Sequence, residues 1–139
     1  MSVTPYYKED EMVEEGKKRI MILACALIRD KACIACQRCL MGMERKNGEF
    51  ERYKDDPAMI AGIIECGGCP GASVIVRMAQ LKTWMAPFGE GIDVVHIGTC
   101  LMGNCPYKES IIEKVKAKAG VPVVEGTHHF LPADIFAKK

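Results

Sequence analysis

The sequence predicts an α/β fold, a single domain on a four-stranded, mainly parallel sheet. Three observations predict it. Apolar, β-branched runs recur without clean alternation, helical patterns separate them, and cysteines collect where the runs end. Near-continuous apolar runs suit strands covered on both faces, and strand–helix alternation implies right-handed crossovers between parallel neighbours.

The first run is Arg19–Leu27, RIMILACAL. The following CIACQRCLMGMERK, from Cys33 to Lys46, can form a short helix, and the charged NGEFERYKDDP beyond it shows no firm pattern. The second run is Met59–Cys66, MIAGIIEC. After it Val74, Met78, Leu81 and Met85 repeat at helical spacing, with Arg77 and Gln80 at polar positions. The third run, Ile92–Cys100, precedes a helix with the stripe Ile111, Ile112, Val115 and Ala119, while Glu113, Lys114, Lys116 and Lys118 face outward. Gly120 provides its C-terminal stop, and Pro122 keeps it from continuing. The fourth run, Val121–His129, is shorter and suits an edge. The expected strand order is 2-1-3-4 with helices on both faces, as in flavodoxin-like halves. Residues 1–18 lack a pattern and are expected to form a loosely ordered extension to a domain spanning residues 19–139.

Composition narrows the function classes. A chain of 139 residues, 49% hydrophobic and 27% charged, suits one globular domain with one core. Net charge is +1 with no basic stripe, so nucleic acid is not an expected partner. The longest apolar run, Ile20–Ile28, falls far short of the roughly 20 residues that span a bilayer. The N-terminus lacks the apolar region of a signal peptide, so a cytoplasmic location is expected, with no membrane partner. Eight cysteines are then unusual. A reducing cytosol disfavours structural disulfides, so the thiols point to metal binding or redox chemistry.

Their positions support this. Cys25 lies near the end of the first run, with Cys33, Cys36 and Cys39 just beyond. Cys66 ends the second run and Cys100 the third, with Cys69 and Cys105 in the loops that follow. His128 and His129 end the fourth. Ligands of open parallel sheets sit outside the carboxyl ends of the strands, and this rim gathers every cysteine.

The segment CGGCP, from Cys66 to Pro70, spaces two thiols so that both can reach one ion. Gly67 and Gly68 permit positive φ, and Pro70 suits a first helical position. Both thiols are therefore expected at a helix N-terminus, whose dipole favours thiolate. NCPYK repeats the device, with Asn104 or Cys105 as cap and Pro106 opening a helix. The triple Cys33, Cys36 and Cys39 has ferredoxin-type spacing, yet LMGM stands where a fourth cysteine and proline belong, so a cluster would need Cys25 or Cys66. Small buried cysteines at a helix start are the structural alternative. His96, in mid-strand, suits a hydrogen-bonded structural role. Of the terminal pair, alternation lets one reach the rim, and His128 is the candidate. Glu65 and Glu125 are possible bases, though surface solvation accounts for both. Met78 and Met85 fall on a core stripe, while Met41, Met43 and Met102 lie near the rim. No Ser–His–Asp set, Walker loop or dinucleotide-binding glycine motif is present.

CGGCPG after MIAGIIE, the upstream GEFERY, HIGTC followed by CPYKE, and the closing GTHH together resemble the CGGC-domain family, small proteins proposed to bind metal. The resemblance runs in order from Arg19 to about Phe130. It implies candidate ligands Cys25, Cys66, Cys69, Cys100, Cys105 and His128, with Cys33, Cys36 and Cys39 less firmly matched, and zinc as the ion. The leading expectation is thus a metal-binding protein without turnover, holding zinc through cysteine and histidine. An iron–sulfur electron-transfer protein is the second, and a thiol–disulfide oxidoreductase using Cys66 and Cys69 the third.

Overall fold

A computed structural model describes residues 16–31 and 37–128. The expected extension lies outside the described residues up to position 15, as do Cys33 and Cys36. Four parallel strands form one sheet in the order β2-β1-β3-β4, as the sequence predicts: β1 Lys18–Ala24, β2 Ala58–Glu65, β3 Val94–Ile97 and β4 Val123–Glu125. β1 is central, and Ile20, Met21, Ile22 and Leu23 are fully buried. Each such side chain contributes about 1.5–3 kcal/mol relative to exposure.

Pleating divides these four side chains between two layers. Met21 and Leu23 join the core with Val74, Met78 and Met85 of helix α3 (Val74–Met85) and Ile111, Ile112 and Val115 of α5 (Lys108–Ala119). Both helices carry the predicted stripes, and Gly120 ends α5 in the left-handed conformation at φ 70°. Leu81 is half-buried over Gly62, where a Cβ would stand 2.8 Å from the leucine Cδ2. Ile20 and Ile22 face the second layer, made by Cys39 and Met43 of α2 (Gln37–Arg45) and by Phe50 and Tyr53 of the 3-10 segment Gly48–Tyr53. His96 is fully buried there. Its Nδ1–H donates to the Gly126 carbonyl at 2.8 Å, which leaves Nε2 to accept from the Tyr53 hydroxyl at 2.6 Å.

Several boundaries differ from expectation. The runs outlast the strands, because helix α1 (Ala26–Lys31) starts just after Cys25 and α4 (Thr99–Asn104) just after β3. Both are six-residue helices of fewer than two turns and mixed residues, too brief to show a helical period. β2 is half-buried along its whole length rather than sealed on both faces, because it forms an edge of the sheet. Two expected helix starts are displaced. α3 begins at Val74, beyond a chain of turns in which Gly71 N–H bonds Gly68 O and Val74 N–H bonds Gly71 O. α5 begins at Lys108, because Cys105, preceding Pro106, is held extended at φ −83° and ψ 119°. Pro70 and Pro106 therefore lie in turns, and the expected helix dipole acts on neither Cys66 nor Cys69.

Candidate metal centre

The strand ends are stitched side by side. Cys66 N–H donates to Ala24 O at 3.1 Å, Gly98 N–H to Leu23 O at 2.7 Å, and Gly126 N–H to Ile97 O at 2.7 Å. These bonds carry the sheet ladder one step past each strand and hold the following loops together. Gly98 fits because it has no side chain: a Cβ there would stand 2.8 Å from the Leu23 carbonyl oxygen.

Cys25 and Cys66 emerge directly from β1 and β2 and are buried, at 7% and 4% exposure. Gly67 and Gly68 take φ of 81° and 102°, as expected, and swing the chain out to an exposed Cys69, whose peptide bond to Pro70 is cis. Cys105 comes from the α4–α5 junction and is partly buried. Together these four line a cavity of about 80 Å³, walled by Leu27, Ile28, Pro70, Pro106 and Ile111. Its lining supplies four sulfurs and the Asn104 side chain, but no carboxylate or imidazole. Two backbone amides at the start of α1 point at sulfur: Cys25 N–H donates to Cys100 Sγ at 3.2 Å, and Ala26 N–H to Cys66 Sγ at 3.4 Å. Burial pushes the Cys105 thiol above its usual value. The Tyr107 amide opposes that shift, and charge on Cys25, Cys69 and Cys66 reinforces it.

The remaining candidates are placed elsewhere. Cys100 lies in the first turn of α4, outside the cavity lining but joined to it through the Cys25 amide. The β-carbon of His128 packs against Gly42 of α2, on the sheet face opposite the cavity. Cys39 is buried on that same face, its thiol 3.6 Å from Thr127 Oγ1. Glu65 pairs with Arg29 at 3.1 Å and Glu125 with Lys116 at 3.6 Å, in line with surface roles. Met43 of α2 is buried in the smaller core, and Met102 packs on the larger one. Among the described residues, no three Cys, His, Asp or Glu side chains are gathered closely enough to hold a metal ion. The residues that tie β3 to β4, Thr99 and Thr127, were not picked out from the sequence. The signal was a Gly-Thr pair closing both the third and fourth runs.

An α/β domain with cysteines from the ends of β1 and β2 and from the α4–α5 junction around one cavity is the class that fold and site define. The CGGC domain matches residues 19–128, and the chain belongs to that family. It is 34% identical over 117 residues to the uncharacterized protein MJ0582 of Methanocaldococcus jannaschii, covering 79% of this chain and 86% of that protein. It is also 36% identical over 70 residues to the uncharacterized protein MJ0766 of the same organism, covering 48% and 96% respectively. No solved structure matches the chain. Among the described residues, no helix is long and apolar enough to cross a membrane.

Proposed function

We propose that the chain is a metal-binding protein that holds a thiophilic ion, zinc foremost, at the C-terminal edge of its sheet. One observation carries this: Cys25, Cys66, Cys69 and Cys105 reach a single apolar cavity from three separate segments of the fold. Four thiolates satisfy tetrahedral zinc, and a lining without carboxylates disfavours magnesium and calcium. The donor set fits in kind, whereas its present spacing is too open for ligation. Binding therefore requires the sulfurs to draw together, and the exposed Cys69 turn is the segment with room to move. Cys100 stands beside this set, while His128 lies on the opposite face. A closed four-sulfur site has no open position for substrate, which favours storage, delivery or structure over turnover.

The test is metal and sulfide content with a visible spectrum, on protein isolated without oxygen. Zinc is expected in the wild type, sharply reduced in Cys66→Ser/Cys69→Ser and largely retained when Cys33, Cys36 and Cys39 are replaced together. Brown protein with acid-labile sulfide, bleached by the triple replacement, would favour an iron–sulfur protein. Metal-free wild type with a reducible Cys66–Cys69 disulfide would favour a dithiol oxidoreductase.

A further inference from the structure

β2 is an eight-residue edge strand, Ala58–Glu65, whose second edge pairs with no strand among the described residues. Edge strands are commonly blunted by lysine, proline or charge, yet this one reads AMIAGIIE, with its only charge at the last position. The exposed apolar groups of the neighbouring helices border it on both faces. Trp84 of α3, 65% exposed, lines a groove with Ile63 and Ile64; Leu40 of α2, 52% exposed, lines another with Met59 and Ile60.

We propose that β2 pairs with β2 of a second copy of this chain, antiparallel about a two-fold axis, making one sheet continuous through both copies. The ends of the strand determine the occupant. Glu65 is occupied by Arg29 and Asp56 by Lys18, whereas Arg77 at one end and Asp55 at the other have no ion-pair partner among the described residues. The Arg77 Nε lies 3.2 Å from where a Gly67 Cβ would be, just past the end of β2, and Asp55 lies just before its start. An antiparallel register that sets Ala58 opposite Glu65 brings Arg77 of each copy to Asp55 of the other. The same two-fold relates each helix layer to itself. Trp84, seven residues along α3 from Arg77 and so about 10 Å nearer the strand's middle, then meets its own counterpart across the seam. The register irregularity at Ala61 falls at the axis, opposite Gly62, which has no side chain to obstruct it.

Analytical ultracentrifugation of the full chain is expected to give twice the monomer mass. Trp84→Glu is expected to raise the dimer dissociation constant at least about tenfold. Arg77→Glu and Asp55→Lys are each expected to weaken the dimer, and their combination to restore it. Hydrogen exchange of the wild type provides a test without variants: β2 amides are expected to be protected in the dimer and to exchange faster on dilution. A monomeric wild type overturns the proposal, whatever other chain then covers β2. So does a dimer that Trp84→Glu leaves intact, a charge pair that fails to rescue, or concentration-independent exchange in β2.

Discussion

Thr99 and Thr127 bond each other reciprocally. Thr99 N–H donates to Thr127 Oγ1, and Thr127 N–H donates to Thr99 Oγ1, both at 3.1 Å, with the two hydroxyl oxygens 3.2 Å apart. The Thr99 hydroxyl donates onward to the His128 carbonyl at 2.6 Å, so the Thr127 hydroxyl donates to Thr99. Both hydroxyls and both amides of this buried pair are thereby used as donors. The pair fixes the exit of β4 against the start of α4, and so sets where Cys100 leaves the sheet.

Replacing Thr127 by valine keeps the shape and removes the hydroxyl. The Thr99 amide, buried, then loses its acceptor, at a cost of about 1–3 kcal/mol. Thr127→Ser keeps the oxygen and is expected to cost less. Urea unfolding midpoints of the two variants check this; equal midpoints would show that the network contributes nothing.

His96 carries a pH dependence whose sign follows from burial. Desolvation lowers its pKa below the usual 6.5, outweighing the Gly126 carbonyl, which favours the proton; Arg52 also lowers it, and Glu49 raises it. The folded state therefore holds His96 neutral where the unfolded chain has begun to protonate. Its contribution is fully present above about pH 6.5 and is lost as pH falls from there toward the depressed folded value. Stability measured by urea unfolding should decline across that window, and less steeply in His96→Asn. Tyr53→Phe removes the donor to Nε2 and should cost about 1–3 kcal/mol at neutral pH.

Gly98→Ala tests how tightly the site is built. The backbone there is ordinary for an L-residue, at φ −56° and ψ 144°, so conformation is not the obstacle. The added methyl meets the Leu23 carbonyl at 2.8 Å and approaches Cys100 Sγ at 3.2 Å. A carbonyl held in the central strand cannot rotate away, so β3 and β1 must separate. About 1–3 kcal/mol of stability should be lost, and zinc retention should fall with it. An alanine variant matching the wild type in both would show that the strand ends are looser than this geometry.

How much was legible in the sequence differs from element to element. The stripes of α3 and α5 were visible because each runs three turns, long enough for the period to separate core from solvent. The approach of Cys25, Cys66, Cys69 and Cys105 to one rim was visible because parallel strands all end on the same side, whereas Cys39 is buried on the opposite face. α1 and α4 were hidden, since Cys25-Ala26-Leu27 continues an apolar run whether it is strand or helix. The face occupied by His128 was equally hidden. Alternation governs orientation only within a strand, and β4 stops at Glu125, leaving Gly126 at φ 114° to redirect the chain. The helix starts at Pro70 and Pro106 were misplaced because proline suits a turn as well as a first helical position, and only the neighbouring backbone decides between them.

Thiol reactivity should report both the burial pattern and the ion. Cys69 is exposed at the mouth of the cavity, Cys105 is partly covered, and Cys25 and Cys66 are buried. In metal-free, reduced protein, mass spectrometry after brief alkylation should find Cys69 modified first and Cys25 and Cys66 last, since reagent access decides the order among them. Adding zinc should protect Cys69 despite its exposure, because a ligating sulfur has given its lone pair to the metal. Chelation should reopen it without reductant. Cys39, held against Thr127 on the other face, should react at the same slow rate with or without zinc. Were zinc to protect Cys39 while leaving Cys69 reactive, the ion would belong to the opposite face of the sheet, and the four-sulfur cavity would not be its site.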